Sequence, residues 1–287
     1  LSTSPSLSRI IEETQSLKTP FSDRLPNDGR SFKVSALMQR SCPEHYHKLP
    51  PFRDLFTTGV PIFMYHKIAP RPRRVRLKGL YVTPETFVRQ IAELSNSGFV
   101  SCTLAEACQD ALPAPRVALT FDDGFQNVFE NALAPLAECR WRALQFLVPH
   151  FIGKMNQWDL RDGEAPELLM DAAAVRDWIS AGHTIGSHSL THARLTRLTL
   201  RDAREEIFAS KKKLEDSFGV AVEHFCYPYG DWSEAVRELV LEAGYRTACT
   251  TQFGVNTPAT PPLTLHRITV RHPTRTLRTL KRKLLGT

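Results

Sequence analysis

The chain has 287 residues, 42% of them hydrophobic, and a formal net charge of +7. That is enough apolar material for one large domain or two small ones, and α/β barrels use about 200–250 residues as a single unit. No run of about 18 apolar residues occurs, so no transmembrane helix is expected.

Residues 1–58 are rich in Ser, Pro and charge with only short apolar clusters, the composition of an extension that wraps a domain or is partly irregular. Its start, LSTSPSLSRIIEETQSLK, lacks the basic and apolar regions of a signal peptide. The six cysteines (Cys42, Cys102, Cys108, Cys139, Cys226, Cys249) form no CxxC pair. Scattered single cysteines suit a reducing compartment, and a cytoplasmic location is the expectation.

From Val60 the pattern changes. VPIFMYHKI (60–68) reads as an apolar strand. Thr83-Pro84 starts a helix, with Thr as N-cap and Pro in the first turn, and Phe87, Ile91 and Leu94 continue it until Gly98. RVALTF (116–121) and RALQFLVP (142–149) are buried strands with a helical segment between them, and HTIGS (183–187) is a short strand. The longest helix spans about 199–218, with Gly219 as its stop. VEHFCYP (222–228) is a strand, Trp232 to Ala243 is helical, and YRTACTT (245–251) and LTLHRITV (263–270) are later strands. This alternation predicts parallel βαβ units. The architecture that fits is a (β/α) barrel of about seven strands over residues 59–287.

Two acid-free basic runs stand out, PRPRRVRLKG (70–79) and RHPTRTLRTLKRK (271–283). The plain reading is a solvated face; the sharper one is peripheral contact with an anionic membrane or a phosphorylated carrier. No zinc-finger, RRM or KH signature accompanies them, so nucleic acid is not an expected partner.

In such barrels chemistry gathers at the C-terminal ends of the strands. That rule selects His66, the pair Asp122 and Asp123, the histidines His188 and His192, the stretch Tyr227 to Gly230, and His266. His188 and His192 are four apart, and a helical turn would aim both rings at one ion. Two imidazoles and a carboxylate leave an open position for water, the make-up of a catalytic zinc site. One aspartate can then bind the cation while the other accepts a proton, and the cation makes adjacent ionised carboxylates tolerable. The residues alone do not say which aspartate does which. The bland alternative is an Asp-Asp-Gly turn near two loop histidines.

In their order along the chain, TFDDG (120–124), HSLTH (188–192) and YPYG (227–230) resemble the NodB-type polysaccharide deacetylases, carbohydrate esterase family 4. MYHKI (64–68) and FGVNTP (253–258) extend the similarity across about 59–287. The resemblance implies a distorted (β/α) barrel and hydrolysis of an N-acetyl group with a divalent metal, zinc first and cobalt, nickel or manganese as alternatives. It makes Asp122 the general base and Asp123, His188 and His192 the metal ligands. It gives the Tyr229 backbone N–H, beside Pro228, to the oxyanion.

The family's third motif begins with an arginine that orients the base, and here that position is Cys226. A thiol cannot make the bidentate contact of a guanidinium, so another group must orient Asp122. Such arginine-less forms resemble the branch that includes poly-N-acetylglucosamine deacetylases. Trp232, after Asp231, resembles an aromatic pocket wall. Trp158, with Asn156 and Asp159 in FIGKMNQWD (151–159), offers a second wall. For the acid that protonates the leaving amine, His266 fits the family's L-x-H pattern only with a shift, and His66 is its rival. The expected activity is removal of N-acetyl groups from an amino sugar in a glycan or glycoconjugate. Its rivals are an O-acetyl esterase or small-amide hydrolase with the same site, a non-catalytic carbohydrate binder, and a basic nucleic-acid or membrane adaptor.

Overall fold

The computed structural model describes residues 42–73, 75–109, 115–160 and 164–271. Most of the expected extension (1–41) and nearly all of the second basic run (272–283) lie outside the described residues. The apolar runs form short strands: β1 (Val60–Tyr65), β2 (Lys67–Ile68), β3 (Tyr81–Val82), β4 (Val100–Ser101), β5 (Arg116–Phe121), β6 (Leu144–Leu147), β7 (Thr184–Ser187), β8 (His224–Cys226), β9 (Thr247–Cys249), β10 (Val255–Asn256) and β11 (Ile268–Thr269). The helices are α1 (Pro84–Asn96), α2 (Gln126–Glu138), α3 (Gln157–Leu160), α4 (Ala172–Ser180), α5 (Leu200–Phe218) and α6 (Glu234–Glu242). The local signals act as their chemistry dictates. Thr83 Oγ1 accepts from the Thr86 N–H at the start of α1, and Thr199 does the same for Asp202 at the start of α5. Gly219 ends α5 at φ +66°.

Strands β1, β5, β6, β7, β8 and β9 run parallel in that spatial order. The last extended segment closes the curl: Leu265 bridges Cys249 of β9, and β11 lies parallel to β1 through Phe63–Ile268 and Met64–Thr269. With β11 this set of parallel strands has seven members, the (β/α) barrel expected from the alternation. β10 pairs antiparallel with the start of β1, and β2 with β3 forms a separate two-stranded sheet.

Because successive side chains on a strand point to opposite faces, the barrel has two packed layers. Ile62, Ala118, Leu144, Phe146, Cys226, Cys249 and Leu265 form the inner cluster. Phe63, Tyr65, Leu119, Phe121, Phe225 and Ile268 share the outer core with helix residues such as Phe87, Ile91, Val128 and Ile207. Gly186 in β7 is dictated by this packing, since a Cβ there would lie 2.6 Å from the Phe146 ring. Continued one residue past β1, β5 and β7, the same alternation carries His66, Asp122 and His188 to the inner side, and Arg267, two residues after Leu265 and just before β11, joins them.

Residues 42–57, inside the expected extension, join the outer core. Tyr46, Leu49, Phe52, Leu55 and Phe56 are buried, and the Tyr46 ring lies 4.4 Å from that of Phe63. Tyr46 also bridges Val270, and its hydroxyl donates to Glu93 of α1. Among the described residues no helix is long and apolar enough to cross a membrane.

Candidate active site

Asp122 leaves the end of β5 with both carboxylate oxygens engaged. Arg267 donates from Nη1 to Oδ1 at 2.7 Å and from Nη2 to Oδ2 at 2.8 Å. This guanidinium is wholly buried and makes further bonds to the Thr120 hydroxyl (3.2 Å), the Thr250 carbonyl (2.8 Å) and Cys226 Sγ (3.1 Å). Burial alone would raise the Asp122 carboxyl, but Arg267, with help from His66, holds it well below the usual carboxylate range. Asp122 is therefore a fixed, ionised acceptor.

Asp123, the next residue, turns away at φ +76°. Its Oδ1 faces His188 Nε2 at 3.5 Å and His192 Nε2 at 3.3 Å, yet it is buried without a hydrogen-bond partner. His188 Nδ1 donates to the Cys226 carbonyl at 2.7 Å, which leaves a lone pair on Nε2. Burial lowers both imidazole pKa values, that of His192 to about 4, so both rings are neutral at pH 7. Three electron-rich atoms thus lie within 4.8 Å of one another. Such convergence of acceptors is unfavourable unless a cation sits among them, so these residues fit a divalent metal. Among the described residues, four of the five non-glycine residues at positive φ (Asp123, Ser189, His192 and Tyr229) belong to this rim, as backbone strain gathers at functional sites.

Asp122, His188 and Cys226 form a second cluster of the same compactness. It suits a metal poorly. Arg267 occupies both Asp122 oxygens, and burial pushes the Cys226 thiol well up, keeping it protonated.

The model of the polysaccharide deacetylase family matches residues 109–248. A chitooligosaccharide deacetylase of Sinorhizobium fredii is 30% identical over 133 residues, 46% of this chain and 54% of that protein, so the chain spans about half the relative's length. A polysaccharide deacetylase from Bacillus cereus superposes with a TM-score of 0.63 at 25% identity, over 75% of this chain and 66% of the other. IcaB from Ammonifex degensii shares the fold at a TM-score of 0.65 and 21% identity, over 75% and 92% of the two chains. The chain carries a NodB-type polysaccharide deacetylase domain.

Around the paired aspartates of this deacetylase domain, the remaining expected residues divide. His66 lies close, with Nε2 3.8 Å from Asp122 Oδ2. His266 does not join them: its backbone N–H and carbonyl are both bonded to the Asn256 amide at 2.9 Å. The cause is alternation, because Leu265 and Arg267 take the inward positions on either side. Tyr229 meets the His192 ring at 4.6 Å, edge to face, with the Arg194 guanidinium 3.7 Å above its own ring. Pro228 is buried, and Gly230 is required because a Cβ there would overlap Thr251 Oγ1 at 2.1 Å.

Trp158 stacks on His192 at 4.7 Å and 25°, forming one wall of the site. Trp232 lies 6.3 Å from Tyr227 and packs on the outer core instead. Asn156 is buried and ties the Trp158 wall together, donating to Asp159 at 3.0 Å and accepting from the Glu167 N–H at 2.7 Å. Burial, and then the nearby Asp123 charge, push Asp159 up to about 6. In the first basic run, Arg71, Arg73, Arg76 and Lys78 are exposed.

The residue that sequence reasoning missed is Arg267. It does for Asp122 what a thiol at position 226 could not. A signal for it existed in LTLHRITV: an arginine two residues after a leucine in a strand shares the leucine's face.

Proposed function

We propose that this protein is a metal-dependent hydrolase that removes N-acetyl groups from an N-acetylated amino sugar in a glycan or glycoconjugate. One observation carries the reading: two consecutive carboxylates are turned to different partners, Asp122 to a buried arginine and Asp123 to two imidazoles. Asp123, His188 and His192 would hold a divalent cation, zinc first and cobalt, nickel or manganese as alternatives. Such an ion supplies a Lewis acid that polarises the acetyl carbonyl and lowers the pKa of water.

Asp122 accepts a proton from the attacking water. Arg267 keeps it ionised throughout the physiological pH range and fixes its direction, which outweighs the loss of intrinsic basicity. As the water oxygen adds to the carbonyl carbon, negative charge grows on the carbonyl oxygen, where the Tyr229 backbone N–H donates. The C–N bond then breaks, acetate departs, and the amine nitrogen takes a proton from His66. The short step from Asp122 to His66 lets the captured proton be passed on, since catalytic contacts are often longer before substrate is bound. Trp158 offers its face to a sugar ring.

The activity named for the Sinorhizobium fredii relative supports the same substrate class. Six free thiols support the expected reducing compartment. The exposed cations at 71–78 would draw the enzyme towards an anionic surface or carrier, an attraction that salt weakens. The test is free acetate released by metal-replete protein from N-acetylglucosamine oligomers, peptidoglycan and O-acetylated sugars. Release from the N-acetylated substrates is expected. Release from O-acetyl esters alone would make the protein an esterase, and binding without release would make it a carbohydrate-binding relative.

A further inference from the structure

The loop that follows β7 carries more than the two histidines of the rim. Arg194, two residues past His192, is exposed, and so are Arg197 and Arg201. Among the described residues the Arg194 guanidinium forms no ion pair and donates no hydrogen bond. Two acids of the same region are occupied by hydroxyls instead. Asp231 accepts from Thr196 at 2.5 Å, and Asp202 accepts from Thr199 at 2.8 Å.

Arg194 is nevertheless not a loose surface cation. Its guanidinium lies 3.7 Å above the Tyr229 ring, and the next residue, Leu195, is buried and anchors the loop. Tyr229 meets His192 at 4.6 Å, and His192 meets Trp158 at 4.7 Å, so the arginine ends a row of packed rings along the rim. Stacking on an aromatic face restrains the side chain while its N–H donors stay unspent. A cation held in this way has already lost much of the rotamer entropy that binding would cost. Its fork of donors matches the oxygens of a carboxylate or a phosphate. The neutral hydroxyls of a plain N-acetylated sugar need no such group.

Resting on the deacetylase reading above, we propose that Arg194 determines specificity by binding a carboxylate or phosphate that the substrate carries beside its N-acetylated sugar. With the sugar ring on Trp158, a substituent that extends past His192 and Tyr229 reaches the guanidinium. Acidic or phosphate-linked sugars are then preferred over neutral homopolymers. Arg197 and Arg201 add an attraction that salt screens, whereas the Arg194 contact is local and bidentate.

The test is the ratio of kcat/KM for anionic and neutral substrates, read as acetate released by metal-replete protein from three matched sugars. These are the N-acetylglucosamine disaccharide, its 1-phosphate, and the disaccharide of N-acetylglucosamine with N-acetylmuramic acid, which carries a carboxylate. Wild type is expected to favour at least one anionic sugar by about tenfold or more, through KM, as a hydrogen bond to a charged group predicts. The sugar that is favoured tells phosphate from carboxylate. Arg194→Gln should abolish the preference, and Arg194→Lys, which keeps the charge without the fork, should recover part of it. A wild-type preference below about threefold for both anionic sugars overturns the inference. So does an Arg194→Gln variant that keeps the preference. Equal loss of activity on all three sugars also overturns it, because Arg194 would then act only through the packing of Tyr229. If wild type releases acetate from none of them, the hydrolase reading falls, and quenching of tryptophan fluorescence by the same sugars decides this inference separately. Tighter binding of an anionic sugar by wild type but not by Arg194→Gln supports it, and any other pattern overturns it.

Discussion

Asp122 and Asp123 are consecutive, yet they enter regions of different kinds. Beneath Asp122, inside the barrel, Arg267 bonds to both carboxylate oxygens, a hydroxyl, a carbonyl and a thiol, so that the charges are matched within the protein. Above Asp123, at the rim, an unbonded carboxylate oxygen faces two neutral imidazoles on a backbone strained at Asp123, Ser189, His192 and Tyr229. The first region is complete as folded. The second has the make-up of a cation site, and its strain is maintained by the well-packed barrel around it. A catalytic base should be rigid before substrate arrives, whereas a metal site must leave its donors unspent, and the roles proposed for the two aspartates divide along that line.

The largest expected effects separate the regions by function. Asp122→Asn should lower turnover by about 10²- to 10⁴-fold, the range for losing a positioned base, while zinc stays bound. His188→Ala should lose zinc and turnover together. Acetate release and metal content measured on the same preparations decide the matter. Equal metal loss in both variants would mean that the roles of the aspartates are reversed.

Stability of the metal-free protein should separate them next, and in opposite directions. Arg267→Met leaves the Asp122 carboxylate buried and unpaired, a change that costs about 3–5 kcal/mol. The double variant Asp122→Leu with Arg267→Met should recover most of that, because an apolar pair of similar volume replaces the ions. At the rim, Asp123→Asn should leave the melting temperature unchanged or raise it. An amide can donate to the imidazole lone pairs, and Asn tolerates the left-handed backbone. Denaturant unfolding of metal-free samples provides the measurement. Destabilisation by Asp123→Asn as large as that by Arg267→Met would show that the rim is as self-sufficient as the interior.

What could be read from the sequence follows the same division. The rim is written in local motifs, and strand ends followed by Asp-Asp-Gly or by two histidines four apart announce themselves. The parallel barrel was legible too, because apolar runs and helix caps are local signals. The interior partner of Asp122 was not, since Arg267 arrives 145 residues later in the chain and its face depends on the register of the closing segment. The packing of Tyr46, Phe52 and Phe56 was hidden for a similar reason. Their aromatic partners include Phe63 and Phe99, and no short period links a polar-rich segment to a distant core.

The smallest expected effect tests the alternation argument itself. For the proton donor the sequence offers His266, which fits the family's L-x-H pattern only with a shift, and His66 as its rival. Geometry favours His66. His66 continues the inward set of β1 after Ile62 and ends 3.8 Å from Asp122, whereas His266 lies between two inward residues and its backbone bonds to Asn256. His266→Ala should therefore change kcat by less than about threefold, against about a hundredfold or more for His66→Ala, the lower end for losing an acid. If His266→Ala were the more damaging while its melting temperature held, the closing segment would have to turn during catalysis. Arg267 could not then remain on Asp122, and the completeness of the interior site would be lost with it.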